Sequence, residues 1–182
     1  MTTRFESYVQ TPEHLPLVGE DEILATIGYL NMPTTDYFVL GGANLVLRGI
    51  KYSTPDLDVL VSDSLFESLQ QIEGSQIKQP PKPAVMRGAS NTTVWVKNDR
   101  TPIPLSATTS LGDGYYPMSF ESHKGRVETV QGVPCISLEE VIAAKSALQR
   151  EKDLLDLDDV SRFIGRAISL SPRPVVGPLW ES

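Results

Sequence analysis

The segment of residues 37–61 decides the fold, and it reads YFVLGGANLVLRGIKYSTPDLDVLV. A short apolar run over 37–40 stops at Gly41-Gly42, which predicts a buried strand that ends in a tight turn. Residues 44–48 suit a short helix, and residues 56–61 begin with two acidic residues that alternate with apolar ones, as in a half-buried strand. The segment therefore predicts two strands joined through a glycine turn and a short helix.

Further regular elements are predicted on both sides of this segment. Helical spacing of apolar residues predicts helices over 22–30 and 64–72, and three prolines mark 78–83 as a loop. Apolar runs predict strands over 93–96, 103–108, 126–130 and 133–136. From Ser137 the apolar period is helical, beginning with the capping-box pattern Ser137-Leu-Glu-Glu140 and continuing to about residue 168 as a hairpin or one kinked helix. This order predicts an α/β (α+β) fold, in which a mixed β-sheet is flanked by helices and followed by a C-terminal helical segment.

Length and composition fit one globular domain. The chain has 182 residues, 40% of them hydrophobic, which is enough for a substantial core. We assign residues 1–19 to an irregular N-terminal segment, 20–168 to the domain and 169–182 to a proline-rich C-terminal tail. No apolar stretch approaches the roughly 20 residues of a membrane span, and the start does not resemble a signal peptide, so we expect a cytoplasmic protein with no membrane partner.

The overall charge argues against sequence-independent binding to long nucleic acids. The formal net charge is −7, whereas such binding depends mainly on lysines and arginines that displace counterions. A local basic rim stays open as an interpretation, because several basic residues lie in and after the central loop: Lys78, Lys82, Arg87, Lys97 and Arg100. The single cysteine, Cys135, has apolar neighbours and is expected to be buried and structural.

Two aspartates open the second strand of the deciding segment. Asp56 and Asp58 alternate with apolar residues, so on a strand both carboxylates leave the same face a few ångströms apart. Like charges that close repel each other, and a hard cation such as Mg²⁺ or Mn²⁺ relieves the repulsion. A solvated strand edge is the alternative interpretation. In the same way Gly41-Gly42 can let backbone amides approach a phosphate, or can simply form a tight turn.

The deciding segment as a whole resembles the polymerase-β-like nucleotidyltransferase superfamily. The pattern of that superfamily is a strand, Gly-Gly or Gly-Ser, a short helix and then Thr-x-Asp-h-Asp-h, where h is apolar. The residues that match it are Gly41, Gly42, Thr54, Asp56 and Asp58. The resemblance implies transfer of a nucleoside monophosphate from an NTP to a hydroxyl acceptor, which is an RNA, a protein or a small molecule. It implies that Asp56 and Asp58 are catalytic and hold Mg²⁺ or Mn²⁺. It also implies nucleotide binding by a set of residues that includes Gly41, Gly42, Asn44 and Thr54.

The stretch from Val133 to Lys145, continued by Arg150-Glu-Lys-Asp-Leu-Leu-Asp156, is similar to a helix of small bacterial members of that superfamily, including AbiEii-type toxins. This resemblance implies that Lys145 and Lys152 bind the NTP and that Asp153 orients the lysine or acts as a base. It also implies a toxin–antitoxin or phage-defence setting, in which the protein has a cognate antitoxin or another protein partner.

Lys145 itself lies on the apolar stripe of its helix, formed by residues 138, 141, 142 and 148, and Lys152 continues the same stripe. An inward position toward Asp56 and Asp58 is therefore expected, and replacement by methionine should cost little fold stability. Snorkelling of Lys145 outward at the stripe's edge is the alternative.

The sequence departs from the family pattern at two places. The later strand that usually carries a third carboxylate corresponds to Thr101–Thr108, where Pro104 or Ser106 occupies that position. Ala43 replaces the usual small hydroxyl residue after the glycines, although Asn44 offers one hydrogen bond to a phosphate. The alternative function is therefore a catalytically degenerate module that binds nucleotide or a protein partner without turnover.

Overall fold

The computed structural model of the protein describes residues 17–78, 92–111 and 116–170, apart from the side chains of 167–170. Several sequence predictions lie outside these residues, namely the segment 1–16, most of the loop at 78–83, Lys82, Arg87 and the tail beyond 170. No helix of the described ranges is long and apolar enough to cross a membrane.

Helices and strands follow one another in a mixed order. The helices are α1 (Glu20–Leu30), α2 (Gly41–Leu47), α3 (Asp63–Leu69), α4 (Phe120–His123), α5 (Leu138–Leu148) and α6 (Glu151–Leu170), with one 3-10 turn at Lys124–Arg126. The strands are β1 (Tyr37–Val39), β2 (Leu57–Val61), β3 (Ser75–Lys78), β4 (Thr93–Val96), β5 (Leu105–Thr108), β6 (Val127–Val130) and β7 (Val133–Ile136).

The seven strands form one mixed sheet in the order β3-β4-β5-β2-β1-β7-β6. The β2–β5 and β1–β7 pairs are parallel, and the remaining neighbours are antiparallel. Helices flank the sheet and follow it at the C-terminal end, so the predicted α+β architecture is confirmed. The two strands of the deciding segment, β1 and β2, lie side by side at the centre, with Val39 opposite Val59.

Each face of the sheet has its own hydrophobic core. Leu57, Val59 and Val61 of β2 pack on one face against Ile23 of α1 and Leu65 of α3. The opposite face packs against α4, α5 and α6 through Phe38, Leu60, Phe120, Val141 and Val160. Because side chains alternate along a strand, Asp58 lies on the face that α5 and α6 cover.

Two details differ from the sequence predictions, and a third decides between two predicted alternatives. Strand β3 was not predicted, because its side chains are mostly exposed and show no apolar alternation. The C-terminal segment is two helices and not one kinked helix, since Gln149 adopts a left-handed conformation (φ 51°) that ends α5. The capping box is half formed: Ser137 Oγ accepts the amide of Glu140, while the Ser137 amide donates to the Arg126 carbonyl instead of the Glu140 side chain.

Candidate functional site

A row of side chains crosses three neighbouring strands on the face covered by α5 and α6. Asp58 of β2 is in register with Ser106 of β5, which is in register with Trp95 of β4. Residues in register on adjacent strands project from the same face of a sheet. The Leu40 amide donates to the Asp58 carbonyl at 2.8 Å. This bond fixes the start of the glycine turn beside Asp58.

A cavity of about 240 Å³ opens between Asp58 and Ser106 of this row and helix α5. Among its lining residues are Gly41, Asp58, Lys145 and Asp153, which the sequence predicted, together with Arg150 and Ser106. A Cβ atom added at Gly41 would lie 3.7 Å from Asp58 Oδ2, so the first glycine faces the carboxylate directly. The structure therefore brings one glycine, two aspartates and one lysine of the predicted set into a single cavity.

The Asp56–Asp58 pair carries unfavourable electrostatics. Burial raises the pKa of Asp58 to about 7, the neighbouring Asp56 carboxylate adds to the rise, and the charges of Lys152, Arg150 and Lys145 oppose it. Asp56 lies one residue before β2 and is half-buried. A divalent cation between two such carboxylates would remove their repulsion, so the pair fits Mg²⁺ or Mn²⁺.

The donor set of such a cation is incomplete in the protein itself. Across the described ranges, no group of three or more His, Cys, Asp or Glu side chains is arranged to hold a metal ion. Mg²⁺ is commonly bound by one or two carboxylates plus water and substrate phosphates. Two aspartates therefore suffice only when a phosphate-bearing substrate supplies further oxygen ligands.

The raised pKa of Asp58 predicts a pH-dependent gain in stability for Asp58→Asn. With a folded pKa of about 7 against an ordinary 3.8, ionisation of this carboxyl costs stability progressively between about pH 4 and pH 7. We expect Asp58→Asn to unfold like the parent near pH 4 and to be more stable by about 2–4 kcal/mol above pH 7. Urea unfolding with EDTA at pH 4, 6 and 8 measures this, with Asp99→Asn in an exposed turn as control. A difference that is the same at every pH would contradict it.

Gly42 and Thr54 form the packed underside of the glycine turn. A Cβ atom at Gly42 would lie 2.6 Å from Thr54 Oγ1, so only glycine fits there without a shift. Thr54 is 2% exposed, exchanges backbone hydrogen bonds with Val18 and donates its hydroxyl to the Asp56 carbonyl at 3.4 Å. This burial gives Thr54 a packing role in place of the nucleotide contact predicted for it.

The side-chain amide of Asn44 also makes its hydrogen bonds within the fold. Its Nδ2 donates to the Val39 carbonyl at 3.0 Å and to the Ile136 carbonyl at 2.9 Å, and its Oδ1 accepts from Arg48. Both amide protons are therefore used, and the side chain is buried. The predicted phosphate contact is wrong for Asn44, which joins α2 to strands β1 and β7.

Lys145 points inward, as its stripe predicted, but its nearest partner is Asp156. Lys145 Nζ lies 2.7 Å from Asp156 Oδ2 and 3.4 Å from Asp153 Oδ1, and its side chain is 8% exposed. Arg150 donates to Asp153 through its backbone amide and two guanidinium nitrogens. Lys51, which the sequence did not indicate, binds the other oxygen of Asp156 at 2.7 Å. These five residues form a continuous chain of ion pairs from the turn after α2 to α6.

The two remaining residues of the predicted set behave differently from each other. Asp153 is fully buried; its burial would raise its pKa, but the hydrogen bonds from Arg150 and the charge of Lys145 outweigh this and lower it. A carboxylate held so firmly in its charged form orients Lys145 and Arg150 and is a poor proton acceptor. Lys152 is exposed, so its predicted place on the inward stripe is wrong, although its charge still reaches Asp58.

A second polar cluster, which the sequence did not reveal, borders the far end of the cavity. Buried Glu140 accepts hydrogen bonds from the Tyr116 hydroxyl and from Arg126, and His123 Nε2 lies 3.8 Å from it. His123 is largely covered as well. The sequence showed Glu140 only as a capping residue, since its partners come from a distant part of the chain.

Three residues of the predicted basic rim lie within the described ranges, and each has its charged group near an aromatic ring. Lys78 Nζ lies 3.5 Å and Lys97 Nζ 5.8 Å from the centroid of Trp95, and Arg100 lies over Tyr29. Both lysines therefore lie at the Trp95 end of the row that begins with Asp58.

Protein-family models, curated proteins and solved structures give no significant match to this chain. The superfamily resemblance therefore stays a prediction.

Proposed function

We propose that this protein is a metal-dependent nucleotidyltransferase that moves a nucleoside monophosphate from an NTP to a hydroxyl of an RNA, a protein or a small molecule. The observation that carries the proposal is the environment of Asp58. Its carboxylate faces Gly41 in a cavity that Lys145 and Arg150 also line. Burial and the neighbouring Asp56 make its charged form unfavourable. A purely structural strand has no need for two mutually repelling carboxylates at this place.

In this reaction the acceptor oxygen forms a bond to the α-phosphorus while the bond between that phosphorus and the pyrophosphate oxygen breaks. Mg²⁺ held by Asp56 and Asp58 would supply electrostatic stabilisation of the charge that develops on the phosphate oxygens. Gly41 leaves room for a phosphate to approach the backbone, because it carries no side chain on the side of Asp58. Lys145 and Arg150 add positive charge to the same cavity, and Asp153 fixes both of them.

Incubation of the protein with each α-labelled NTP and Mg²⁺ or Mn²⁺ tests the proposal, with total RNA or cell lysate as the acceptor. We expect transfer of label to one class of acceptor that requires the metal. Absence of transfer with all four nucleotides, under conditions where the nucleotide binds, would favour a second candidate, a module that binds nucleotide or a partner without turnover. The toxin–antitoxin or phage-defence setting and an antitoxin partner stay predictions.

The second candidate is favoured by Ser106, which stands in register with Asp58 on β5 where the resembled family carries its third carboxylate. This position makes a direct test possible. With NTP present, Ser106→Asp should bind Mn²⁺ about tenfold more tightly than the parent, because a third carboxylate joins the donor set. Ser106→Asn, with nearly the same shape and no charge, is the matched control. Equal Mn²⁺ affinity of the two variants by calorimetry would show that β5 does not border the metal position.

A further inference from the structure

The chain turns back on itself immediately after α2 and returns Lys51 to the glycine turn. Gly49 has a positive φ of 72°, and the amides of Ile50 and Lys51 both donate to the Leu45 carbonyl. A Cβ atom added at Gly42 would lie 3.8 Å from Lys51 Nζ. The ammonium group therefore lies beside the second glycine, held there by the backbone of its own turn.

Asp156 binds two lysines that differ in their access to solvent. One carboxylate oxygen accepts from Lys51 and the other from Lys145, each at 2.7 Å. The Lys145 side chain is 8% exposed and contacts two carboxylates, whereas the Lys51 side chain is 27% exposed and contacts one. An ammonium group has three donor protons, so Lys51 keeps donors for a further partner.

The charges of this cluster do not balance within it. Lys51, Lys145 and Arg150 supply three positive charges, and Asp153 and Asp156 supply two negative ones. Lys145 is enclosed, whereas the side chains of Lys51 and Arg150 are 27% and 46% exposed, and of these two cations Lys51 is the one beside Gly42. An anion that reaches the glycine turn would meet the Lys51 ammonium first.

We propose that Lys51 is a phosphate-binding residue, which holds the pyrophosphate end of a bound NTP beside Gly42, with Asp156 as the positioning residue that fixes it. Lys145 then serves mainly to hold Asp156 and Asp153, since its own donors already contact both carboxylates. The inference rests on the proposed function. The sequence resemblance assigned the triphosphate contact to Lys145, whereas here Lys51 contacts the pyrophosphate end and Lys145 holds the two carboxylates. A compact ammonium suits a departing pyrophosphate, whose charge grows as its bond to the α-phosphorus breaks.

Titration of the full chain with inorganic pyrophosphate and Mg²⁺ tests this inference. Lys51→Gln should weaken pyrophosphate binding by about tenfold or more, because it removes a charge-assisted hydrogen bond. Lys51→Arg should stay within a few-fold of the parent, since the charge remains. Lys124→Gln, which neutralises an exposed lysine paired with Glu121, is the matched control and should bind like the parent. Thermal melting of each variant reports separately on folding.

The outcomes separate this inference from the proposed function. NTP binding that needs Asp56 and Asp58, together with equal pyrophosphate affinity of Lys51→Gln and the parent, would overturn the role of Lys51 and leave the proposed function standing. Pyrophosphate binding that depends on Lys51, without any nucleotidyl transfer, would support the phosphate site and count against the transferase. Failure of pyrophosphate to bind the folded parent would overturn the inference.

Discussion

Replacing Lys145 with methionine should lower the free energy of unfolding by about 3–5 kcal/mol, the usual cost of removing one partner from a buried ion pair. Lys145 is enclosed between Asp153 and Asp156, and without its charge both carboxylates keep their burial and lose a counter-charge. Lys51 and Arg150 compensate only in part. The expectation from the sequence alone, that methionine would be tolerated with little loss of stability, is therefore reversed.

Urea unfolding at neutral pH measures this loss. Lys152→Met makes the same chemical change at an exposed lysine near the start of α6, and we expect it to unfold like the parent. In a double-mutant cycle, Lys145→Met combined with Asp156→Asn should recover part of the loss, because the unpaired carboxylate is removed. Equal free energies of unfolding for Lys145→Met and the parent would contradict this prediction, because they would show that the buried charge of Lys145 adds no stability.

Changing both site aspartates to asparagine should reduce nucleotidyl transfer by about a thousandfold or more, since loss of one well-placed electrostatic contact already costs about 10²–10³ in rate. The Asp56→Asn/Asp58→Asn variant keeps the shape of the cavity and removes the two charges that fit a divalent cation. Its fold should be at least as stable as the parent's, because Asp58 no longer ionises while buried. The labelled-nucleotide assay measures the loss.

A matched control for that experiment lies on α6. Asp158→Asn/Asp159→Asn removes the same number of charges from a solvent-facing stretch, where Asp158 pairs with Arg162. This control should transfer label like the parent at the same ionic strength. If both double variants lose activity equally, overall charge and not the Asp56–Asp58 pair controls the reaction.

The sequence predicted the central part of the fold because local patterns determine it. Strands β1 and β2 are short apolar runs bounded by glycine or by aspartate. Side chains alternate along β2, so Asp58 projects from the face opposite to that of the buried Leu57 and Val59. The stripe of α5 likewise predicted that Lys145 is buried. In each case the period of one segment decides which side chains face inward.

Partners that are distant in sequence could not be predicted in the same way. Lys51 and Asp156 are 105 residues apart, and their contact depends on the turn at Gly49 and on how α6 crosses the sheet. Asn44 was expected to donate to a phosphate because it follows the two glycines, yet tertiary packing directs its amide to a strand 92 residues away. A motif therefore identifies candidate residue types, while the packing decides which of them keep free donors or charges.

The central claim is that Asp56 and Asp58 hold a metal–nucleotide complex, and calorimetric titration with NTPs tests it most directly. The parent should bind at least one NTP in the presence of Mg²⁺ and lose that binding in EDTA, whereas Asp56→Asn/Asp58→Asn should show no Mg²⁺-dependent binding. Equal NTP affinity of the parent and the double variant in Mg²⁺ would contradict the claim.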